Sequence, residues 1–163
     1  MSKTEQTRYC WDSCAYLAWL CQEASAPIDD MHAVIDEVAS GKALMILPVT
    51  VYTEVLSVNA PREKRMDFEM FISHRSVIRA ELSFPIATKA REIRERGLLE
   101  SPKRKLRTGD AQVLATAFMQ GATVLHSLDR HLLGLNGHPT ANRMHICQPC
   151  PLTGQKILPG TTE

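Results

Sequence analysis

Apolar positions along the chain fall into short runs that alternate between a helical period and an unbroken, strand-like one. Residues 9–11 are enough for a short first strand, after which Asp12-Ser13 opens a helix whose apolar face carries Cys14, Leu17, Ala18 and Cys21, with Pro27 as its end. A second helix begins near Asp29 or Asp30, buries Met31, Val34, Ile35 and Val38, and stops around Gly41, a residue suited to a left-handed cap. Residues 43–47 read as a buried strand. After Pro48, Thr50 is placed to cap a helix carrying Val51, Glu54, Val55 and Val58; another helix covers 65–74, and 77–84 reads as a strand. Pro85 suits the first turn of a helix that reaches Arg96 and stops at Gly97. The polar, basic stretch 98–107 contains Pro102 and reads as a loop. Thr108 then caps a helix that buries Ala111, Leu114, Ala115 and Phe118 and ends near Gly121. A short buried strand follows at 123–126, with Ser127-Leu128-Asp129 at its carboxyl end, and a last strand is expected at 143–147.

This alternation predicts a three-layer α/β/α fold around a central, mainly parallel sheet. No repeat or low-complexity tract interrupts it, so residues 1–150 are expected to form a single domain, and 151–163 a Pro- and Gly-bearing tail, partly disordered.

Composition narrows the class. The 163 residues are 44% hydrophobic and 23% charged, as in ordinary globular domains. No stretch reaches the roughly 18 consecutive apolar residues that cross a bilayer, and the polar opening before Tyr9 lacks a signal-peptide core. A cytoplasmic location is the expectation. Five cysteines in such a setting read as reduced thiols, with Cys14 and Cys21 in core packing. Net charge of +1 gives no overall bias toward nucleic acid, so any basic surface has to be local. Between Lys89 and Arg107 there are eight cations against three anions. Arg91 and Glu95 stand at ion-pair spacing on a helix, and Arg96 can reach Glu92. Lys103, Arg104, Lys105 and Arg107 have no such partners and immediately precede Asp110, which makes them the candidate RNA-binding run.

Four carboxylates take suggestive positions in a parallel sheet: Asp12 and Asp129 follow strands, Asp110 opens a helix, and Glu54 lies one turn into another. Ligands of open α/β sheets bind at the carboxyl ends of strands. Clustered carboxylates repel one another unless a cation neutralises them, and hard oxygen donors favour Mg²⁺ or Mn²⁺. Singly, each acid has an ordinary explanation as a helix-start, turn or surface residue.

Together, the strings WDSCAYLAWL, VTVYTEVLS and GDAQVLATAFMQGATVLHSLD resemble the PIN-domain family. The shared pattern is a strand-ending Asp followed by Ser, a helical Glu, an Asp-Ala opening a small-residue helix, and a strand ending in Ser-x-Asp. The resemblance implies a metal-dependent ribonuclease in which Asp12, Glu54, Asp110 and Asp129 hold Mg²⁺ or Mn²⁺, supported by Ser13 and Ser127. It implies hydrolysis by a metal-activated water that leaves a 5′-phosphate and a 3′-hydroxyl, a homodimer, and, as in toxin–antitoxin pairs, a small inhibiting partner. No additional Asp closely follows Asp129, where Arg130 and His131 stand instead.

Other readings compete. A housekeeping RNA-processing nuclease would look alike, and a degenerate fold would only bind RNA. A phosphatase of the haloacid-dehalogenase kind needs a second Asp two residues after the first, where Cys14 stands. Cys147-Gln148-Pro149-Cys150 has the spacing of a zinc half-site, with His145 as third ligand and His138 nearby in sequence, but no second CxxC exists. Thioredoxin-like chemistry would need its CxxC before an early helix. His126 and His131 flank the Ser-Leu-Asp turn and are assigned no role; Trp11, Tyr16 and Trp19 could stack on bases, though core packing suits at least two of them.

Overall fold

Three consecutive residues with no solvent exposure, Tyr9, Cys10 and Trp11, put the first strand at the middle of the structure. The computed structural model describes residues 6–56, 59–100 and 106–152, with side chains described except at 98–100. Within them β1 (Arg8–Trp11) is flanked on both sides in a sheet of five parallel strands ordered β3-β2-β1-β4-β5, where β2 is Leu44–Pro48, β3 Val77–Ala80, β4 Val124–His126 and β5 Ile146–Cys147. Parallel strands covered on both faces need continuous apolar runs, which is why LMILP and VLH are not alternating. The register pairs Tyr9 with Met45 on one side and with Val124 on the other.

Helices fill the crossovers: α1 (Ser13–Cys21), α2 (Ile28–Ala39), α3 (Val49–Glu54), α4 (Arg62–Ile72), α5 (Phe84–Glu100), α6 (Thr108–Met119) and α7 (Arg130–Leu133). One group, α5 and α6, packs together, with α6 also against β2 and β4. On α1, in contact with α2, α3 and α4, the aromatic side chains interlock: Tyr16 lies 5.3 Å from Trp11 and 5.5 Å from Phe68, and Trp19 5.4 Å from Phe71. Trp11 and Tyr16 are fully buried, so they are core rather than base-stacking residues. The α/β/α expectation holds, with the sheet wholly parallel. No helix among the described residues is long and apolar enough to cross a membrane.

Several local expectations are corrected. The buried face of α1 is Ala15, Tyr16, Ala18 and Leu20, whereas Cys21 is exposed and Cys14 is engaged in polar contacts. Gln22, in the left-handed region at φ 52°, ends α1, and Pro27 instead caps the start of α2. Gly41 does adopt the left-handed conformation after α2, at φ 77°. Thr50 lies inside α3, not at its cap; that helix stops at Glu54, so Val55 is past its end, and Val58 lies outside the described residues. α4 starts and ends earlier than expected, and β3 stops at Ala80 because Ser83 and Phe84 already begin the next helix. Arg107, not Thr108, is the cap residue of α6, and Phe118 at its far end is 42% exposed beneath the Lys89 ammonium, 5.0 Å from the ring centre. β5 is only two residues long, because Asn142 and Arg143 turn through positive φ just before it. Of the expected helical ion pairs, Arg91–Glu95 forms at 2.9 Å, while Glu92 pairs with Lys89. Packing continues to the end of the described residues, where buried Leu152 donates its N–H to Tyr9 Oη at 2.6 Å.

The largest correction is at Gly97, through which α5 runs unbroken to Glu100 instead of stopping. A Cβ there would meet Thr140 Cγ2 at 3.6 Å and Leu106 Cβ at 3.8 Å, ordinary contact distances. Gly97→Ala should therefore stabilise the fold by roughly 0.5–1 kcal/mol, the usual gain for removing glycine from a helix interior. Gly121→Ala should do the opposite, since Gly121 sits at φ +67°. Denaturant unfolding of both variants checks the pair of signs.

Candidate active site

In the strand order, the direction of progression reverses between β1 and β4. Such a switch point opens a crevice at the carboxyl ends of the strands. Asp12 leaves β1 and Asp129 leaves the turn after β4, so the topology brings both to the two sides of that crevice. Helices that return against a parallel sheet start at the same edge, which carries Asp110 there in the first turn of α6, while Glu54 ends α3 directly after β2.

Asp12 is the fixed point. It is 6% exposed and caps α1, with Oδ1 accepting from the Ala15 N–H at 3.1 Å and the Cys14 thiol at 2.8 Å. Its Oδ2 accepts from Ser127 Oγ at 2.5 Å, and Ser127 Oγ in turn accepts from the Asp129 N–H at 2.9 Å. A hydroxyl can donate once and accept once in this way, so one serine ties β1 to the turn that carries Asp129. Asp129 Oδ1 is held by the His131 and Leu132 N–H groups at the start of α7. Ser13 opens α1 and takes no part in the network. The supporting hydroxyl is Ser127, joined by a residue whose helical spacing points to the core: the Cys14 thiol, whose pKa burial and the charge of Asp12 push up to about 12, so that it stays a donor.

Asp110 and Glu54 complete the acidic edge. Burial lifts the Asp110 carboxyl above the ordinary carboxylate range, and the charges of Asp129, Asp12 and Glu54 add to the lift, with Arg107 opposing it. Burial likewise raises Asp12, against the lowering effect of its hydrogen bonds with Cys14, Ser127 and Ala15; Asp129 raises it further. Asp12 and Asp110 therefore each feel other acids of the set. Glu54 is exposed, and its Oε1 would lie 3.2 Å from a Cβ at Gly109. Gly109 thus allows the Glu54 carboxylate to approach the first turn of α6, a role visible in the sequence only as the Gly of the Gly-Asp-Ala string. Arg107 is exposed beside this edge; Lys103, Arg104 and Lys105 lie outside the described residues.

The four acids share an electrostatic neighbourhood without forming a tight cage: among the described residues, no three carboxylates have oxygens within 4.8 Å of one another. That spacing suits a small hard cation which keeps several of its waters and meets protein through one or two carboxylates. Asp12, with both oxygens already occupied, is the least free to turn toward an ion. It accepts from Ser127 Oγ and its charge helps to raise Asp110.

The sequence matches no protein-family model and no curated relative. Solved structures do match: a chain of VapBC2 from Rickettsia felis, crystallised bound to a DNA fragment from their promoter, with a TM-score of 0.64 at 10% identity over 86% of this chain and 97% of that one. FitAcB from Neisseria gonorrhoeae gives a TM-score of 0.56 at 11% identity, again over 86% of this chain and 97% of that one. The chain has a PIN-like fold.

Raised carboxyl pKa values carry a stability consequence. Between the unfolded value and the higher folded one, the folded chain binds more protons than the unfolded chain, so stability falls as pH rises through that window. Asp110→Asn removes the charge and keeps the shape; in chelator at neutral pH it should melt higher than the wild type by a few °C, on the order expected for a single relieved repulsion. The difference should shrink as pH falls toward the ordinary carboxylate range, and Mg²⁺ should stabilise the wild type more than the variant. Melting curves with and without the ion, across pH, check all of this.

Proposed function

We propose that the chain is a metal-dependent endoribonuclease that hydrolyses RNA phosphodiesters, acting as the toxin of a toxin–antitoxin pair. The observation that carries this reading is the convergence of Asp12, Glu54, Asp110 and Asp129 at the carboxyl edge of the sheet, where Asp12 and Asp110 are raised by burial and by the charges of their acidic neighbours. Such a concentration of like charge destabilises a fold unless it is used to hold a cation.

Asp110 and Asp129 would hold Mg²⁺ or Mn²⁺, with Asp12 beneath them and Glu54 at the open side. When bound, the cation supplies Lewis-acid polarisation of the phosphoryl oxygen and activation of water. Glu54, exposed and placed against Gly109, orients the attacking water and takes its proton at Oε1. Ser127 keeps Asp12 and the Asp129 turn in register, and Cys14 keeps Asp12 Oδ1 from turning away. Arg107 faces the same edge and, with Lys103, Arg104 and Lys105 just before it, holds the RNA backbone. The products are a 5′-phosphate and a 3′-hydroxyl. The likeness to chains of VapBC2 and FitAcB supports a small antitoxin partner over a housekeeping role; the homodimer rests on the sequence resemblance alone.

Purified protein incubated with total RNA should cleave it in Mg²⁺ or Mn²⁺ and not in chelator, and mapping the fragment ends should return 5′-phosphates. Asp129→Asn should reduce cleavage on the order of a hundredfold or more while the protein stays folded, because the substitution removes charge at the ion and keeps the amide able to accept at the α7 cap. Full activity in a pure Asp129→Asn preparation would remove the assignment.

The basic run is tested by binding rather than by cleavage. Replacing Lys103, Arg104, Lys105 and Arg107 with Ala, on the inactive Asp129→Asn background, should weaken RNA affinity. It should also flatten the salt dependence, by about 0.7–0.9 in slope for each phosphate that the run neutralises in the wild type. An unchanged slope would make the run a solvated loop.

A further inference from the structure

Next to the acidic edge, β4 and β5 end side by side with His126 paired to Cys147 in the register. Their side chains therefore share a face of the sheet, and Cys150 returns to it after a two-residue turn. Among the described residues, the group formed by His126, Cys147 and Cys150 is the one set of three metal-ligating side chains whose donor atoms all lie within 4.8 Å of one another. We propose that these three residues form a binding site for a soft divalent cation, zinc by its chemistry, separate from the carboxylate site.

Geometry supports it at each ligand. The two sulfurs are 3.8 Å apart, and two thiolates each about 2.3 Å from a tetrahedral zinc stand about 3.8 Å from one another. His126 is fully buried, and its Nε2 has no hydrogen-bond partner. An unpartnered polar atom buried in a core is costly, so one in a ring grouped with a pair of thiols calls for an occupant. The ring is held in place from its other side, where Trp11 Nε1 donates to Nδ1 at 2.9 Å, and the Tyr9 ring lies 5.2 Å away. Burial also keeps the imidazole neutral, lowering its pKa to about 3 with a further contribution from His145, and a neutral ring is the form that ligates.

His145 is not the third ligand. It is exposed and its Nδ1 lies 3.2 Å from Asn136 Oδ1, outside the group. The CxxC signal seen in the sequence is thus completed by a residue 21 positions upstream of Cys147, delivered by strand pairing.

The proton balance is definite. An indole N–H only donates, so Nδ1 is the acceptor and the ring proton sits on Nε2 in the metal-free protein. A neutral imidazole ligates through its unprotonated nitrogen, so loading at Nε2 shifts the ring proton to Nδ1, where the Trp11 N–H gives up its hydrogen bond, and the cation replaces the two thiol protons, which leave to solvent. Burial and the neighbouring Cys150 push the Cys147 thiol up to about 12, so that thiol gives up its proton only where a cation takes its place. Soft thiolate donors select zinc over Mg²⁺, which keeps the two sites chemically distinct. Both cysteines are half-buried, and solvent supplies the fourth ligand from that side.

The test uses the reduced whole chain and the metals alone. Cobalt(II) should give a tetrahedral spectrum with thiolate charge transfer, displaced by one equivalent of zinc and untouched by excess Mg²⁺. Cys147→Ser and Cys150→Ser should each weaken zinc on the order of a hundredfold, and Cys21→Ser, which removes an exposed cysteine elsewhere, should not. Since His126 substitutions disturb the core, cadmium-113 resonance of the wild type reads the histidine directly, with a shift expected for two sulfurs and one nitrogen. Zinc held equally well by Cys150→Ser, a shift showing no nitrogen ligand, or no stoichiometric zinc in reduced wild type would each overturn the proposal. None of these readouts depends on RNA cleavage, so failure here leaves the nuclease reading standing, and the reverse.

Discussion

The hydrogen bond from Ser127 Oγ to Asp12 Oδ2 spans the one place where the sheet reverses its order, and the geometry of the acidic edge hangs on it. A carboxylate 6% exposed is destabilised by the loss of water and has to recover that loss from donors. Asp12 recovers it from a backbone N–H, a thiol and a hydroxyl, and two of these come from side chains within its own short stretch or the turn opposite. The same hydroxyl accepts from the Asp129 backbone, so the second acid is positioned by the act of satisfying the first. Without that coupling, β1 and β4 would still pair, but the Asp129 turn would have no reason to fold toward the crevice.

Much of this is legible along the chain because it is local. The alternation of periods announces a parallel α/β sheet, and the four acids stand out by their positions relative to strand and helix ends. Boundaries decided by tertiary packing are the ones that mislead. Gly97 reads as a stop, yet α5 continues through it with Thr140 and Leu106 packed against its backbone and without a left-handed φ. Residues 81–84 continue a strand-like alternation beyond β3, yet the backbone turns there because the Glu81 carbonyl accepts from Ser83, and the Ser83 carbonyl from Ala87 at the start of α5. Helical spacing points Cys14 to the core; its position on α1 instead brings the thiol back to the cap carboxylate.

The residues that sequence reasoning misses altogether are those defined by partners far away in the chain. Gly109 matters through Glu54, and His126 through Trp11 and Cys147; nothing within several positions of either hints at the contact. A histidine at the end of a buried strand is ordinary in sequence, and only its neighbours across the sheet give it a ring tautomer and an unsatisfied nitrogen. The CxxC pair shows the complementary case: its spacing is visible, but the nearby His145 is the wrong completion, because proximity along the chain is a poor guide to proximity across parallel strands.

The hard and soft donor sets are three residues apart on one segment, His126 and Asp129, and share the β1 strand end through Trp11 and Asp12. On the proposed assignments that closeness could let one cation compete for both, and donor chemistry would keep them apart. Carboxylates with room for water suit a hard ion that dehydrates reluctantly, whereas two thiols and a desolvated imidazole offer nothing to such an ion. The strand-end backbone also separates them, since Asp12 N–H donates to the His126 carbonyl at 3.2 Å and Ser127 N–H to the Cys147 carbonyl at 3.0 Å, which sends successive side chains to opposite sides of the sheet edge. Pleating thus gives His126 to the core and its sulfur neighbours, and Ser127 to Asp12 and the acidic crevice. Two chemically unlike sites can therefore occupy adjacent residues, because the alternation of a β-strand turns one step along the chain into a change of face.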